Sequence, residues 1–461
     1  MTGITRTLAE FAAGLTYDAL PAEVAARTKL LILDTAGIMV RARHDAESTA
    51  SLVSAVERLG LVSGDCSVLG DGRGYAPTAA ALLNGSMAHS LDFDDTHAEA
   101  SLHSSAPIVP AVLAAAEMTD ASGKDVITAC VVGYEIQIRL ANALVPKDHY
   151  DRGYHPTATC GVMAAAVAAG KILGLDADGL ESALGIALSQ AAGSMQFLAD
   201  GAWTKRSHVG QAAQNGLTCA TMAAEGFKGP KQAIEGKWGF LHAYSPNAQH
   251  DKATAGLGEK WETLALGVKP YPSCRYTHAA MDAIRQLATE HGIMADEVES
   301  ATMGVPETGW KIVGDDDAEK QNPQSIVDGQ FSMPFCAAVV LREGNMVWDD
   351  YKTHLSDAVT LDLVKRINTV VDPEAEAAYP DNMAGKATIR MKSGEVYERF
   401  VEIPKGEPAN FMDLGEFRAK FDGLCGPYLN AAGTEKFAGA ILSLEEANSL
   451  RSVLALSHAD A

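Results

Sequence analysis

The sequence predicts a mainly α protein, in which a large all-helical domain is joined to a smaller α+β domain. Two observations predict it. Apolar residues recur at helical spacing from the start of the chain to about residue 245. After a polar stretch at residues 245–257 (SPNAQHDKATAGL), strand and hairpin patterns alternate with helical ones. The length, 461 residues, exceeds what one hydrophobic core ordinarily supports, and 47% hydrophobic with 21% charged residues gives enough apolar material for a sizeable core. The expected domains are residues 1–260 (helical, completed by C-terminal helices in 410–461) and residues 261–409 (α+β).

Within the helical part, residues 21–39, 107–118, 125–144 and 180–198 carry the helical period, with Ala and Gly frequent among them. Small residues let helices approach closely, so a tightly packed body is expected. A further helix is expected over 77–91, and Pro156 suits the first turn of one over 157–173. In the second part, 298–306 reads as a strand and 386–404 as a hairpin around Lys392-Ser393-Gly394. Helices are expected between them at about 276–291, 324–341 and 356–368. No internal repeat or low-complexity stretch interrupts the chain.

Charge and cysteine usage exclude several functions. With 37 basic against 59 acidic residues, the net charge is −22. Such a surface repels nucleic-acid phosphates and anionic lipid, so neither nucleic acid nor membrane is an expected partner. An anionic substrate would need a local cluster of cations. The seven cysteines (66, 130, 160, 219, 274, 336, 425) are widely spaced, odd in number and form no C-x-x-C pair. They read as free thiols of a reducing compartment and offer no iron–sulfur or zinc ligand set. The N-terminus shows no secretory pattern, and the most apolar run, 160–170, is too short to span a bilayer. A cytoplasmic protein is expected. The run Gly70-Asp71-Gly72-Arg73-Gly74 lacks the spacing of a dinucleotide fingerprint and reads as a turn.

Four segments concentrate chemistry. The first is Asp92-Phe93-Asp94-Asp95-Thr96-His97 with His103, preceded by His89. On a continuing helix, His89, Asp92 and Thr96 would share one face. The plain reading is an acidic helix end. A metal reading of Asp94-Asp95, after the magnesium-binding acidic pair of all-helical prenyl-diphosphate enzymes, lacks the third acid because position 98 is alanine. The second segment is Gly153-Tyr154-His155-Pro156, which sets His155 at a helix N-terminus, where the dipole disfavours the imidazolium and attracts anions. The third is Thr204-Lys205-Arg206-Ser207-His208-Val209-Gly210, two cations and a histidine at a helix entry, suited to carboxylate binding and proton transfer. The fourth is Lys269-Pro270-Tyr271-Pro272-Ser273-Cys274-Arg275-Tyr276-Thr277-His278, a proline-stiffened segment with Lys269, Arg275 and His278; its lone cysteine reads as a packed thiol.

In this order the four segments resemble the MmgE/PrpD family, a resemblance that runs from near the N-terminus to beyond residue 340. It implies a large helical domain, a smaller α+β lid domain, a homodimer, and activity on small polycarboxylates without a cofactor or metal. The family's activities include 2-methylcitrate dehydration, cis-aconitate decarboxylation and iminodisuccinate epimerisation. By position, Asp92, Thr96, His103, His155, Lys205 and Lys269 match its active-site residues. Three departures stand out. The interval from Thr96 to His103 is one residue longer than in the decarboxylase branch, Phe335 stands where a tyrosine is expected, and 273–278 differs from enterobacterial-type methylcitrate dehydratases.

The chemistry expected from this set is removal of a proton next to a carboxylate, which needs a base and fixed cations where negative charge develops. His155 is the expected base, with His103 and Asp92 as the acid pair. Lys205 is the catalytic cation, Lys269, Arg275 and His208 bind substrate, and Thr96 positions it. A hydro-lyase of the methylcitrate-dehydratase kind is the leading expectation, with an epimerase or decarboxylase as alternatives. A non-catalytic carboxylate-binding protein is the alternative from another class.

Overall fold

The computed structural model describes residues 3–199, 201–314 and 320–458. The chain forms two compact units, residues 1–267 with 417–461, and residues 268–416. The fold is mainly α, with a small α+β portion, as the sequence predicts. Among the described residues, no helix is long and apolar enough to cross a membrane.

The first unit is a stack of helices. Those that build the site are α1 (Ala22–Asp45), α2 (Pro77–Ala88), α3 (Ser105–Thr119), α4 (Gly123–Leu144), α5 (Pro156–Ile172) and α6 (Thr204–Ala224). Helix α6 packs against both α2 and α5, and the contacts are made by small residues. A Cβ built on Gly210 would lie 2.3 Å from the Leu82 carbonyl oxygen and 2.2 Å from Ser86 Oγ. One on Gly216 would lie 2.5 Å from Ala165 Cβ. The core beneath is correspondingly alanine-rich, with Ala81, Ala111, Ala165, Ala213 and Leu217 in one cluster. Ala and Gly are here the residues that bring helix backbones together, which concentrates dispersion contacts without bulky side chains.

The second unit holds a four-stranded sheet, β1 (Val298–Val305), β2 (Ile367–Val371), β3 (Gly385–Met391) and β4 (Val396–Val401), in the order β2-β1-β3-β4. β1 runs parallel to β2 (Ala301 opposite Ile367) and antiparallel to β3 (Thr302 opposite Thr388). The β3–β4 hairpin pairs Ile389 with Tyr397. Helices α7 (Arg275–His291) and α8 (Met333–Glu343) belong to this unit, and α7 covers β3 and β4. Helix α9 (Leu414–Leu442), broken by a kink at Asn430 (φ 52°), contributes its residues from Phe417 onward to the first unit.

Several boundaries differ from expectation. The helix expected over 180–198 stops at Leu188, and a 3-10 turn follows at Met195–Ala199. The one expected over 324–341 is two helices, because Ser332 caps α8 with its side chain and Pro334 sits in its first turn. The stretch 356–368 is helical only at Ala358–Val364 and then becomes β2. The glycine-rich run at 70–74 lies largely in a short strand, Asp71–Tyr75, paired with Cys66–Val68. All seven cysteines are buried and unbridged.

The close helix contacts predict a contrast between two glycines. Gly210→Ala should destabilise by about 1–3 kcal/mol through overpacking against backbone. Gly439→Ala, on the exposed side of α9 with nothing within 4 Å of the added methyl, should be neutral or stabilising by up to about 1 kcal/mol. Urea denaturation of both variants beside the parent chain measures the difference.

Candidate active site

The site grows from the end of α2. No glycine or proline marks the stop, yet the helix ends at Ala88, with His89 as its C-cap. Asp92 then takes a left-handed conformation (φ 52°) and Thr96 enters a two-residue strand paired with Leu266–Gly267. His89, Asp92 and Thr96 therefore do not share a helical face, which corrects the sequence expectation. A non-glycine residue in this region is uncommon, though aspartate tolerates it better than most. The turn points consecutive acids in different directions and gives each a different partner.

Asp92 meets Lys205, whose Nζ lies 3.1 Å from Asp92 Oδ1. Asp94 is fully buried, with Oδ2 2.7 Å from His89 Nδ1 and 3.3 Å from His103 Nδ1. Asp95 accepts from the Ser105 backbone N–H (3.1 Å) and from Ser105 Oγ (2.6 Å), so it holds the N-terminus of α3. Ser105 Oγ also lies 2.8 Å from the Tyr134 hydroxyl of α4. Burial pushes the Asp95 carboxyl up to about 7, against the opposing hydrogen bonds from Ser105. Between Asp92 and Asp94, the Phe93 carbonyl accepts from Lys420 Nζ at 2.9 Å, and that ammonium sits 3.7 Å above the Phe93 ring. Lys420 also pairs with buried Asp34 of α1 at 2.6 Å.

The remaining groups come from α5 and α6. His155 caps α5, and its backbone N–H donates to the Gly193 carbonyl at 2.9 Å. The His103 backbone N–H donates to Thr157 Oγ1 at 3.2 Å, which ties the first and second segments together. Lys205 and His208 lie inside the first turns of α6, not before its start as the sequence suggested, and their three-residue spacing puts both on one face. Gly193 (φ 139°) packs beside two of the imidazoles: a Cβ there would lie 3.4 Å from His155 Cβ and 3.6 Å from His208 Nδ1. Ring centroids of His155 stand 5.8 Å from those of both His89 and His208, and His89 stands 4.7 Å from His103. Four imidazoles and one ammonium thus collect in a chain that is acidic overall.

Their protonation follows from this crowding. Burial, then the charges of His89, Lys205, His103 and His208, push the His155 imidazole well below its ordinary value. Burial and then His89 lower His208. For Lys205, desolvation pulls downward, but Asp92 and Asp94 win and hold the ammonium above the usual lysine value. Three ring nitrogens, His89 Nε2, His155 Nδ1 and His208 Nδ1, are buried without a hydrogen-bond partner among the described residues. Buried polar atoms are ordinarily satisfied, so these orphans mark where a polar ligand would bond.

Among the described residues, His89, Asp94 and His103 have the chemistry to hold a metal, with ligand atoms within 4.8 Å of one another. His89 Nδ1 and Asp94 Oδ2 are already joined by a hydrogen bond of 2.7 Å. His103 Nδ1 lies 2.8 Å from the Asp95 carbonyl oxygen, which requires a proton on that nitrogen where a metal would require a lone pair. The trio reads as a hydrogen-bonded network.

Of the sequence-predicted site residues, Asp92, Thr96, His103, His155, Lys205 and His208 all belong to the first unit. Lys269 and Arg275 belong to the second. Lys269 is buried there. Arg275 donates from Nε to Glu407 Oε1 at 2.6 Å, which commits its charge to that pair. Phe335 is fully buried and stacked on Tyr351, whose hydroxyl donates to the Pro272 carbonyl at 2.7 Å.

The sequence model of the MmgE/PrpD N-terminal domain matches residues 6–253, and that of the C-terminal domain matches residues 271–446. The chain is 30% identical to the cis-aconitate decarboxylase-like protein oryM of Aspergillus oryzae, over 98% of this chain and 97% of that protein. It is 30% identical to cis-aconitate decarboxylase of Aspergillus terreus, over 99% and 96%. With the Homo sapiens cis-aconitate decarboxylase it shares 29% identity over 75% and 72%.

The Asp95 environment gives a stability prediction with a definite sign. Between 3.8, its ordinary value, and about 7, the folded chain holds a proton that the unfolded chain has released. This group therefore stabilises most at low pH, and its contribution is lost as pH rises to 7. Asp95→Asn carries no such titration, so its stability relative to the parent should improve from pH 5 to pH 8, measured by urea denaturation at both.

Proposed function

The chain belongs to the MmgE/PrpD family, and from the site we infer a cofactor-free lyase that makes or quenches a carbanion next to a carboxylate of a small polycarboxylic acid. One observation carries this reading: Lys205, held cationic by Asp92, stands in a site shared with His155, held neutral. A fixed ammonium stabilises the aci-carboxylate anion as it forms. A neutral imidazole takes a proton from the α-carbon in one direction and returns one in the other. Thr96 is assigned to orienting the substrate, and the orphaned nitrogens of His155 and His208 to hydrogen bonds with its oxygens.

Loss of carbon dioxide is the first specific reading. The relatives that span nearly the whole chain are named for cis-aconitate decarboxylation, and this moves the hydro-lyase into second place. In decarboxylation the C–C bond to the departing carboxylate breaks, its electron pair spreads onto the unsaturated remaining acid, and a proton adds to the α-carbon. In the hydro-lyase alternative His155 removes the α-proton while His103 protonates the leaving hydroxyl. The position of that second histidine, held by Asp94 and the Asp95 carbonyl, keeps the alternative in play.

The test is turnover by the purified full-length protein, dialysed against EDTA, with cis-aconitate, 2-methylcitrate and N-substituted aspartates in deuterated water. Expected is carbon dioxide release from an unsaturated tricarboxylate, with deuterium at the α-carbon of the product seen by proton NMR. Water loss instead assigns the hydro-lyase, and exchange without net product the epimerase. Binding without exchange assigns a carboxylate-binding protein, and activity restored only by magnesium overturns the cofactor-free reading. Lys205→Ala and His155→Ala should each keep the fold and lower kcat about 100-fold or more; near-parent rates would remove those residues from the mechanism.

A further inference from the structure

The proposed chemistry gives no proton-transfer or substrate-binding step to two fully buried groups, His89 and Asp94. Neither side chain has measurable exposure, and they meet at 2.7 Å, Nδ1 to Oδ2. The same oxygen lies 3.3 Å from His103 Nδ1, which is also 2.8 Å from the Asp95 carbonyl. Both neighbours of that nitrogen are acceptors, so Nδ1 carries a proton and the lone pair of the neutral ring is on Nε2. The His89 ring stands edge-on to His103, with centroids 4.7 Å apart at 66°.

We propose that His89 and Asp94 are positioning residues for His103. His89 donates to Asp94 and fixes the orientation of its carboxylate, and Asp94 with the Asp95 carbonyl keeps the Nδ1 proton of His103 in place. Nε2 is then the nitrogen that gives up its proton during turnover and regains it afterwards. The arrangement repeats the logic of any carboxylate–imidazole pair, in which the buried acid sets the tautomer and direction of the ring without itself reacting. Its unusual part is the second imidazole behind the carboxylate. The His89 N–H holds one oxygen of this buried carboxylate, which opposes both its rotation and its protonation.

This assignment rests on the reading of His103 as a proton-transfer group, and the experiment separates the two. Full-length protein labelled with 15N-histidine reports the His103 tautomer from long-range proton–nitrogen correlations without any substrate, and steady-state kinetics are run on the same preparations. In the parent chain, His103 should show a single Nδ1–H tautomer. Asp94→Asn, which keeps shape but removes the charge, should weaken the hydrogen bond from His103 Nδ1, moving that proton's signal to higher field, and lower kcat. His89→Leu should lower kcat about 10- to 100-fold, the size of one lost hydrogen bond to a charged group, with KM changed by less than about 3-fold. His89→Asn, whose amide can donate from nearly the same place as Nδ1, should recover most of the loss. A folded His89→Leu variant with the parent kcat overturns the proposal. So does an unchanged Nδ1 proton signal of His103 in Asp94→Asn, which decides the matter even where His89→Leu fails to fold. If the parent chain turns over no polycarboxylate, the functional reading fails, while the comparison of the Nδ1 proton signals still decides the role of the pair.

Discussion

The site depends on how closely α6 can approach α2. Gly210 follows Lys205 by five residues and His208 by two on α6, and it meets the α2 backbone at a distance no other residue would allow. That contact sets the height at which Lys205 and His208 face the loop leaving α2. It also fixes where Asp92 finds its lysine. A larger residue at 210 would push the helices apart and pull the cation away from the carboxylate, so the geometry of the chemistry is written into the packing of the scaffold.

The same loop is secured from the far end of the chain. Lys420, 327 residues from Phe93 in sequence, donates to its carbonyl and pairs with Asp34. A buried ion pair is weak evidence for stability, but here one ammonium serves both a carboxylate and the backbone between Asp92 and Asp94. It also offsets part of the repulsion among Asp34, Asp94 and Asp95, which lie near enough to raise one another's basicity. Three buried acids close together would be costly without such partners. The cations that the acidic surface lacks are concentrated where buried carboxylates and a substrate's carboxylates would need them.

Most of the scaffold was legible because long helices repeat their apolar period many times. Residues 107–118 and 125–144 form helices close to where the pattern places them. The legible part of the site was its inventory. Asp92, His103, His155 and Lys205 stand in short segments whose residue types serve acid–base chemistry, and the fold brings them together. What could not be read was direction. Nothing in His89-Ser90-Leu91-Asp92 signals the end of α2, so the helical face from His89 to Thr96 does not form, and the pairing of His89 with Asp94 that the loop makes instead has no helical spacing to announce it. Lys420 carried no local signal, since its partners come from two distant segments. Other misses had visible signals: Ser332 with Pro334 marks a helix start, and Ile367-Asn368-Thr369-Val370-Val371 is rich in β-branched residues.

The arrangement explains how one constellation serves several reactions. Decarboxylation, dehydration and epimerisation share an anion α to a carboxylate and differ in what leaves and where the proton returns. In the proposed chemistry Lys205 stabilises that shared anion, whichever bond supplied it. His155, forced toward its neutral form by burial and by the cations around it, is a modest base but, once protonated, a strong donor, because the surroundings favour release of the proton. The neutral ring accepts a proton directly, whereas donation requires it first to take one up, so the same imidazole serves both directions of proton transfer and the group that leaves the substrate decides between loss of carbon dioxide and loss of water.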